Sequence, residues 1–390
     1  MLGGEITGLN VIRNLGINEV DVYCVVDKTD CATYSKYCKK SFIIPNIQTD
    51  KALLKTFLHE MEKTYEGAVI IPTSDLFLLN LASIENEVSN KFHTLIPKAN
   101  TLRTIVEKDR FYKSLAHSAI PHPTTFFPKS IEDVEKISRT IQYPVIIKPF
   151  LSQVFSKLFN RKVFYANSAK DLLTEYKIAA TKNITIVVQE IIPGLNNELY
   201  SIAGYFDKNH NPKALFAYRR LRGWPQDFGN NSYVESCSLS NVDPIKKEII
   251  NYLHKLQYCG IMEAEIKRDP RDGLFKLIEI NARSWWQNSL PTKCGINIIY
   301  LSYLDSIGVK MPYSQHYRTG VHWMHPLNDF QFFLRFHPEK LMNWLNSLRK
   351  TEDFAYFCKH DMLPWLVKNF QNIMSLTEFG FNKIIHHFPH

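Results

Sequence analysis

Two strand-like segments joined by a short turn limit the possible folds of this chain more than any other part of its sequence. Segments 261–267 and 274–280 are β-like, and the turn between them, residues 269–273, reads DPRDG. A Pro-containing turn that closes on Asp-Gly between alternating segments is a strong signal for a β-hairpin. The sequence therefore predicts an antiparallel pair of strands at this position.

One face of the predicted hairpin carries oxygen-bearing side chains. Because side chains alternate along a strand, Glu263, Glu265 and Lys267 share one face, and Glu279 and Asn281 share a face of the partner strand. Carboxylate and amide oxygens are the ligands that Mg²⁺ prefers, especially where substrate phosphates complete its octahedron. The sequence predicts a magnesium site here, and the alternative is a surface hairpin whose polar face is solvated.

The residues after the second strand favour the site over the solvated surface. Arg283 follows Asn281 by two positions and directly precedes Ser284 and the pair Trp285-Trp286. This order places a guanidinium, which suits phosphate, against a bulky wall of aromatic side chains.

A second charged residue sits where a buried strand ends. Residues 143–149 read YPVIIKP, so Lys148 closes an apolar run. A lysine in such a position is costly unless it meets a negative partner. An ammonium group binds phosphate as a point charge, so we predict that Lys148 contacts a phosphate.

These motifs together resemble the ATP-grasp superfamily. The motif E-x-N-x-R at 279–283, with Glu265 fourteen positions before Glu279, is similar to the magnesium-binding strand pair of that superfamily. The sequence of residues 263–283 is similar to the corresponding sequence in a branch of predicted ATP-grasp carboxylate–amine ligases. The resemblance covers roughly residues 3–308.

The resemblance implies an α/β fold with α+β grasp lobes, divided into four parts. A Rossmann-like domain is expected at 1–98, with its first strand apparently missing. The small ATP-grasp lobe is expected at 99–192, the large lobe with the magnesium site at 193–310, and a helical extension at 311–390.

The resemblance also implies roles for individual residues in a site for ATP and Mg²⁺. By this resemblance, the lysines that bind the phosphates are Lys108 and Lys148. The hinge that binds adenine comprises Gln189, Glu190 and Ile192, and the acidic residue that binds the ribose hydroxyls is Glu198. The metal ligands are Glu265, Glu279 and Asn281, and Arg283 is expected near the acyl phosphate.

Three arginines within residues 219–222 end another predicted strand and indicate an anion site. The alternative is a solvated basic edge strand. The resemblance places phosphate-binding arginines here, which makes Arg220 and Arg222 the candidates.

Asp75 follows a predicted buried strand, where it is either a helix cap or part of an acceptor site.

Two regions depart from the pattern. Segment 151–163, where most members carry a glycine-rich loop over the phosphates, has no glycine. No strand precedes the glycine turn at 3–8, although a helix, a strand and Asp27 follow it, as in a dinucleotide-binding unit. An NAD site built on residues 3–27 is therefore an alternative.

The composition of the chain restricts the classes of binding partner that are expected. The net charge of +9 suits phosphate-bearing ligands, and no block of like charge indicates nucleic-acid binding. No run of about 18 apolar residues predicts a membrane span. Seven scattered cysteines and no visible signal peptide favour the cytoplasm. A homodimer is common in the superfamily that the chain resembles.

The expected function is ATP- and Mg²⁺-dependent ligation of a small-molecule carboxylate to an amine through an acyl phosphate. A non-catalytic ATP-binding or regulatory protein of the same fold is the alternative. In the extension, the amphipathic segments 363–370 and 376–388 are expected to pack on the preceding lobe or to contact a partner or membrane surface. His386 and His387 are expected to be inert rather than metal ligands.

Overall fold

A computed structural model describes residues 1–149, 163–182, 184–225, 229–309 and 316–385. The fifteen strands among these residues are β1 Val22–Val26, β2 Cys38–Ile43, β3 Val69–Ile70, β4 His93–Thr94, β5 Thr125–Phe126, β6 Val145–Pro149, β7 Phe164–Ala166, β8 Ile186–Glu190, β9 Leu199–Phe206, β10 Pro212–Trp224, β11 Asn230–Cys237, β12 Gly260–Arg268, β13 Phe275–Asn281, β14 His322–Met324 and β15 Thr351–Phe354. The helices are α1 Glu5–Gly16, α2 Lys51–Met61, α3 Asp75–Val88, α4 Ala99–Val106, α5 Lys108–Ala116, α6 Ile131–Ser138, α7 Ala169–Ala180, α8 Asp243–Lys255, α9 Ser289–Lys293, α10 Ile298–Ser306, α11 Pro326–Phe336, α12 Leu341–Lys350 and α13 Leu363–Ile385.

The first part of the chain forms an α/β layer from two parallel strand pairs, β1–β2 and β3–β4. A short segment at the start of the chain lies between them, because the Leu2 amide donates to Ile71 O and the Gly3 amide donates to Val25 O, both at 2.9 Å. Leu2 forms parallel bridges to Val25 of β1 and to Pro72, which follows β3. This segment lies where a dinucleotide-binding unit would have its first strand, which the sequence analysis described as apparently missing.

A four-stranded sheet in the order β5-β8-β6-β7 forms a small lobe with a core of its own. Helices α6 and α7 cover it, since their apolar residues Val134, Ile137 and Leu172 pack with Val145 and Val188 of the strands. Strand β6 lies between β7 and β8 and is antiparallel to both, which positions Lys148 near the end of a central strand.

The large sheet has seven strands in the order β13-β12-β9-β10-β11-β14-β15. The predicted hairpin is confirmed as β12 and β13, which pair antiparallel at one edge. Strands β14 and β15 come from the region that the sequence predicted to be helical, and they extend the sheet at the other edge. The C-terminal region is thus built into the large sheet, in addition to contributing α11–α13.

Residues 99–116 form two helices, α4 and α5, with extended backbone at Glu107 between them. Both helices pack in the core shared with the hairpin, and the Tyr112 hydroxyl donates to Ile278 O of β13 at 2.5 Å. The break lets Lys108 begin a new helix beside the hairpin. None of the helices in the described residues is long and apolar enough to cross a membrane.

Candidate functional site

The hairpin places the predicted metal ligands opposite one another. In its register Glu265 pairs with Glu279, and Glu263 pairs with Asn281. Burial, followed by the charges of Glu279 and Glu263, raises the pKa of Glu265 to about 8. Neighbouring carboxylates that lose water favour a bound proton or cation, so this face of the hairpin is suited to a positive ligand.

Lys148 lies close to these carboxylates on the small lobe. Its Nζ donates to Gln189 Oε1 at 2.9 Å, and Gln189 Nε2 donates to Thr125 Oγ1 at 2.8 Å. Burial, followed by the charge of Lys108, lowers the pKa of Lys148 to about 8, while Glu279 and Glu265 oppose the shift. The buried side chain of Gln189 therefore orients Lys148.

Lys108 completes this group from the start of α5. Its Nζ lies 3.9 Å from Glu279 Oε2. Both residues line a cavity of about 70 Å³, together with Asp75, Tyr112 and Asn281. The ammonium groups of Lys108 and Lys148 thus lie close to one another and to the carboxylate of Glu279.

The predicted adenine hinge follows β8. Ile192 is buried, and Lys267 of β12 donates to Ile192 O at 2.8 Å and to Gly194 O at 3.2 Å. The buried carboxylate of Glu190 accepts from the Thr124 amide at 3.0 Å, so this carboxylate supports the hinge. Glu198 ends a short 3₁₀ helix beyond the hinge and is half-buried.

The two candidate arginines of β10 have different surroundings. Arg220 is buried, and its guanidinium donates to Asn231 Oδ1 and to Gly229 O, each at 2.5 Å. It is also close enough to Glu265 to lower the pKa of that carboxyl.

Arg222 instead makes a two-pronged ion pair with the fully buried Asp329 of α11, at 2.9 Å and 2.8 Å. It also lies over the ring of Tyr233. The guanidinium of Arg222 is thus occupied by a residue 107 positions later in the sequence, which the sequence analysis did not anticipate.

Arg283 joins the hairpin to the N-terminal part of the chain. Its Nε donates to Asp75 Oδ1 at 2.7 Å, and its Nη2 donates to Asn281 Oδ1 at 3.3 Å. The cap of α3 is Ser74, whose hydroxyl accepts from the Phe77 amide, so the expected cap role of Asp75 was wrong by one residue. Asp75 lies in the first turn of the helix and fixes the guanidinium of Arg283.

Glu263 is a site residue that the sequence analysis placed on the correct face but did not count among the functional residues. It is buried, accepts from the Tyr218 hydroxyl, and accepts from Asn281 Nδ2 at 3.1 Å. Burial raises the pKa of its carboxyl, against the effect of the Tyr218 hydrogen bond. The alternation of β12 was the signal that could have found it.

Some predicted features are absent or fall outside the part of the chain that the structure describes. Segment 151–162, which contains most of the predicted phosphate loop, and His386 and His387 lie outside it. Within the described ranges, no three His, Cys, Asp or Glu side chains are grouped so that they alone could hold a metal ion. A cation at the hairpin would therefore need further ligands, which phosphate oxygens and water supply for Mg²⁺.

Comparison with known proteins gives one curated relative and many structural neighbours. No protein-family model matches the chain. The chain is 23% identical over 268 residues to D-aspartate ligase from Enterococcus faecium (strain Aus0004), a match that covers 66% of this chain and 63% of the relative. The chain therefore spans less than two thirds of that relative's length.

Two solved structures are similar over most of the chain. Biotin carboxylase from Campylobacter jejuni, in a β-γ-ATP complex, has a TM-score of 0.65 at 17% identity over 82% of this chain and 73% of its own. N5-carboxyaminoimidazole synthetase from Staphylococcus aureus, complexed with ADP, has a TM-score of 0.66 at 13% identity over 87% of this chain and 85% of its own.

Proposed function

We propose that this chain, whose fold is that of the ATP-grasp ligases, is an ATP- and Mg²⁺-dependent enzyme that joins a small carboxylate to an amine. One observation carries the proposal. The paired carboxylates of Glu265 and Glu279 lie close to the ammonium groups of Lys108 and Lys148. The two carboxylates suit a metal ion, and the two ammonium groups beside them suit phosphates.

The side chains of the hairpin fit Mg²⁺. Glu265, Glu279 and Asn281 supply hard oxygen ligands from paired strands, and the raised pKa of Glu265 indicates a carboxyl that a cation would stabilise in its charged form. When bound, Mg²⁺ and ATP supply a phosphoryl group whose negative charge is partly neutralised.

The chain's own residues then bind and orient the reactants. Lys148 and Lys108 bind phosphate oxygens, Ile192 and its neighbours hold the adenine, and Glu198 accepts from the ribose hydroxyls. Arg220 and Arg283 stabilise the charge that grows as the substrate carboxylate takes up the phosphoryl group. The amine then displaces phosphate from the activated carboxylate, so no nucleophilic side chain of the protein is required.

The carboxylate–amine class is supported by the relative that bears the name D-aspartate ligase. Since less than two thirds of that relative is matched, D-aspartate enters as the first carboxylate to test. Arg222 has its guanidinium engaged by Asp329, so we assign the contact with anionic groups on β10 to Arg220 and a structural role to Arg222.

The test is phosphate release from ATP in the presence of Mg²⁺, with pooled amines and small carboxylic acids that include D-aspartate. We expect release only when both a carboxylate and an amine are present. ATP binding without release across the whole panel would favour the non-catalytic alternative.

The Glu279→Ala variant is expected to remain folded and to lose phosphate transfer, because one of the paired metal ligands is removed. Glu60→Ala, which changes an exposed glutamate of α2, is the control and should retain full activity. Full activity in Glu279→Ala would contradict the metal assignment.

A further inference from the structure

Asn281 can bind a metal ion through only one of the two polar atoms of its side-chain amide. The Oδ1 atom accepts and can bind a cation, whereas the Nδ2 group only donates hydrogen bonds. A rotation of the amide by half a turn would present Nδ2 in place of Oδ1. The proposed site therefore needs something that fixes the orientation of this amide.

Two neighbours of Asn281 impose the same orientation. Arg283 Nη2, which can only donate, lies 3.3 Å from Oδ1, and Glu263 Oε2 accepts from Nδ2 at 3.1 Å. Arg283 leaves the second lone pair of Oδ1 available. Glu263 is the neighbour that occupies Nδ2, and its carboxylate lies on the same face of the hairpin as Glu265.

Glu263 is itself held in place. The Tyr218 hydroxyl donates to its Oε1 and lies 3.4 Å from Gln287 Oε1. Glu263 is 3% exposed, and Tyr218 and Gln287 are also buried. Its two oxygens therefore have separate partners, and one of them is committed to Asn281.

We infer that Glu263 is a positioning residue. Its carboxylate accepts a hydrogen bond from Asn281 Nδ2 and so turns Asn281 Oδ1 toward the metal ion. The inference rests on the proposed function, because it concerns the metal site of that function. Residues that orient metal ligands typically contribute about 10- to 100-fold to metal affinity.

The test is the binding of Mn²⁺ to the full-length protein in the presence of ADP, measured from the EPR signal of free Mn²⁺. Glu263→Leu removes the acceptor of Nδ2 and leaves only the 3.3 Å contact with Arg283 to hold the amide, so we expect Mn²⁺ affinity to fall by about 10- to 100-fold. The unfolding midpoint of each variant shows that it is folded under the assay conditions.

The control variant is Glu263→Gln, which keeps an oxygen that can accept from Asn281. The Tyr218 hydroxyl can turn to donate to Gln287 Oε1 and accept from the new amide group. We expect Mn²⁺ affinity within about threefold of the wild type. A loss in Glu263→Gln as large as in Glu263→Leu would overturn the inference, since charge rather than amide orientation would then matter.

The rescue variant is Glu263→Leu combined with Asn281→Asp. An aspartate presents an oxygen in either orientation, so it needs no acceptor at position 263, and the double variant should recover most of the lost affinity. A double variant as weak as Glu263→Leu would mean that Glu263 acts through packing, and equal binding by Glu263→Leu and wild type would also overturn the inference. If the wild type itself binds no Mn²⁺ with ADP, the proposed function fails instead.

Discussion

At the scale of single residues, the chemistry of the site depends on neighbours that lie far apart in the sequence. Lys148 and Glu265 each have a pKa of about 8, although their ordinary values lie on opposite sides of neutrality. Burial disfavours the charged form of both groups. A nucleotide and its metal ion would restore both charges, because each brings the opposite charge to its partner.

The lowered pKa of Lys148 predicts how ADP binding depends on pH. As pH rises through the pKa of about 8, free Lys148 loses its proton and a phosphate loses its ammonium partner. With metal removed by EDTA, ADP affinity should fall more steeply from about pH 7 to about pH 9 in the wild type than in Lys148→Arg, whose guanidinium stays charged. The extra loss should reach about tenfold one unit above the pKa. Calorimetric titrations measure both profiles, and parallel profiles would contradict the assignment.

The two arginines of β10 should respond differently to removal. Arg222→Ala leaves the carboxylate of Asp329 buried without its ion pair, and we expect the free energy of unfolding to fall by about 3–5 kcal/mol. Arg219→Ala breaks a more exposed pair with Glu235 and should cost about 1 kcal/mol or less. Urea unfolding measures both. Arg220→Ala should mainly weaken ADP binding, and a dominant loss of ADP affinity in Arg222→Ala would reverse our assignment.

Lys148, Glu265, Glu279 and Asn281 could be selected as candidates from the sequence because a local pattern is enough to identify each of them. A charge that closes an apolar strand, or oxygens that alternate along a hairpin, can be read without knowing the rest of the fold. The partner of Arg222 is 107 residues away, and no local pattern indicates it. The role of an arginine in a basic run is therefore decided by tertiary contacts.

At the scale of elements, the turn of the hairpin links the two lobes. Asp269 is fully buried and pairs with Arg271 at 2.5 Å and Lys276 at 2.6 Å. Arg271, whose hydrogen bonds hold the pKa of Asp269 well below its usual range, also donates to Gln142 at 2.5 Å and lies 3.5 Å from Glu190. The turn is thus joined to the strand that leads into the predicted adenine hinge.

Removal of this link should loosen the hinge. In Arg271→Ala we expect faster hydrogen exchange at the amides of β8, residues 186–190, because the ion pair with Glu190 and the bond to Gln142 are lost. Arg268→Ala, which changes an exposed arginine whose Nε donates to Gly273 O within the turn, is the control. Exchange measured by mass spectrometry at equal pH should differ between the two variants, and equal rates would exclude the link.

The boundaries of elements were less predictable than their existence. Residues 102–119 carry a helical pattern, and Glu107-Lys108-Asp109 contains no residue that ends a helix by itself. The break at Glu107 coincides with the packing of α4 and α5 in the core shared with β13. Tertiary packing here overrides local propensity.

At the scale of the whole molecule, the C-terminal region belongs to the main body rather than being appended to it. It supplies β14 and β15 to the seven-stranded sheet, and Asp329 to Arg222. Asp361, which is 3% exposed, accepts from Arg13 of α1 at 2.9 Å and from the Ser35 hydroxyl at 2.7 Å. The region expected to be a helical extension contains α11–α13, and it also contains β14 and β15, which the sequence analysis missed because both strands are short.

The contact between Asp361 and Arg13 should contribute strongly to stability. Asp361→Ala leaves a buried guanidinium without its carboxylate, and we expect the free energy of unfolding to fall by about 3–5 kcal/mol. Glu352→Ala breaks an exposed pair with Arg318 and should cost about 1 kcal/mol or less. Urea unfolding compares the two variants, and similar losses would show that the Arg13 pair is not specially important.

The pairing of Arg13 with Asp361 also affects how the protein can fold during synthesis. A ribosome releases α1 long before residue 361, so the guanidinium of Arg13 must wait for a partner that lies 348 residues later in the chain. The N-terminal layer consequently emerges with the surface that later contacts Tyr356 and Asp361 uncovered, and its native packing comes late. A nascent chain stalled before residue 361 would thus be a good substrate for chaperones, which bind such incompletely packed layers.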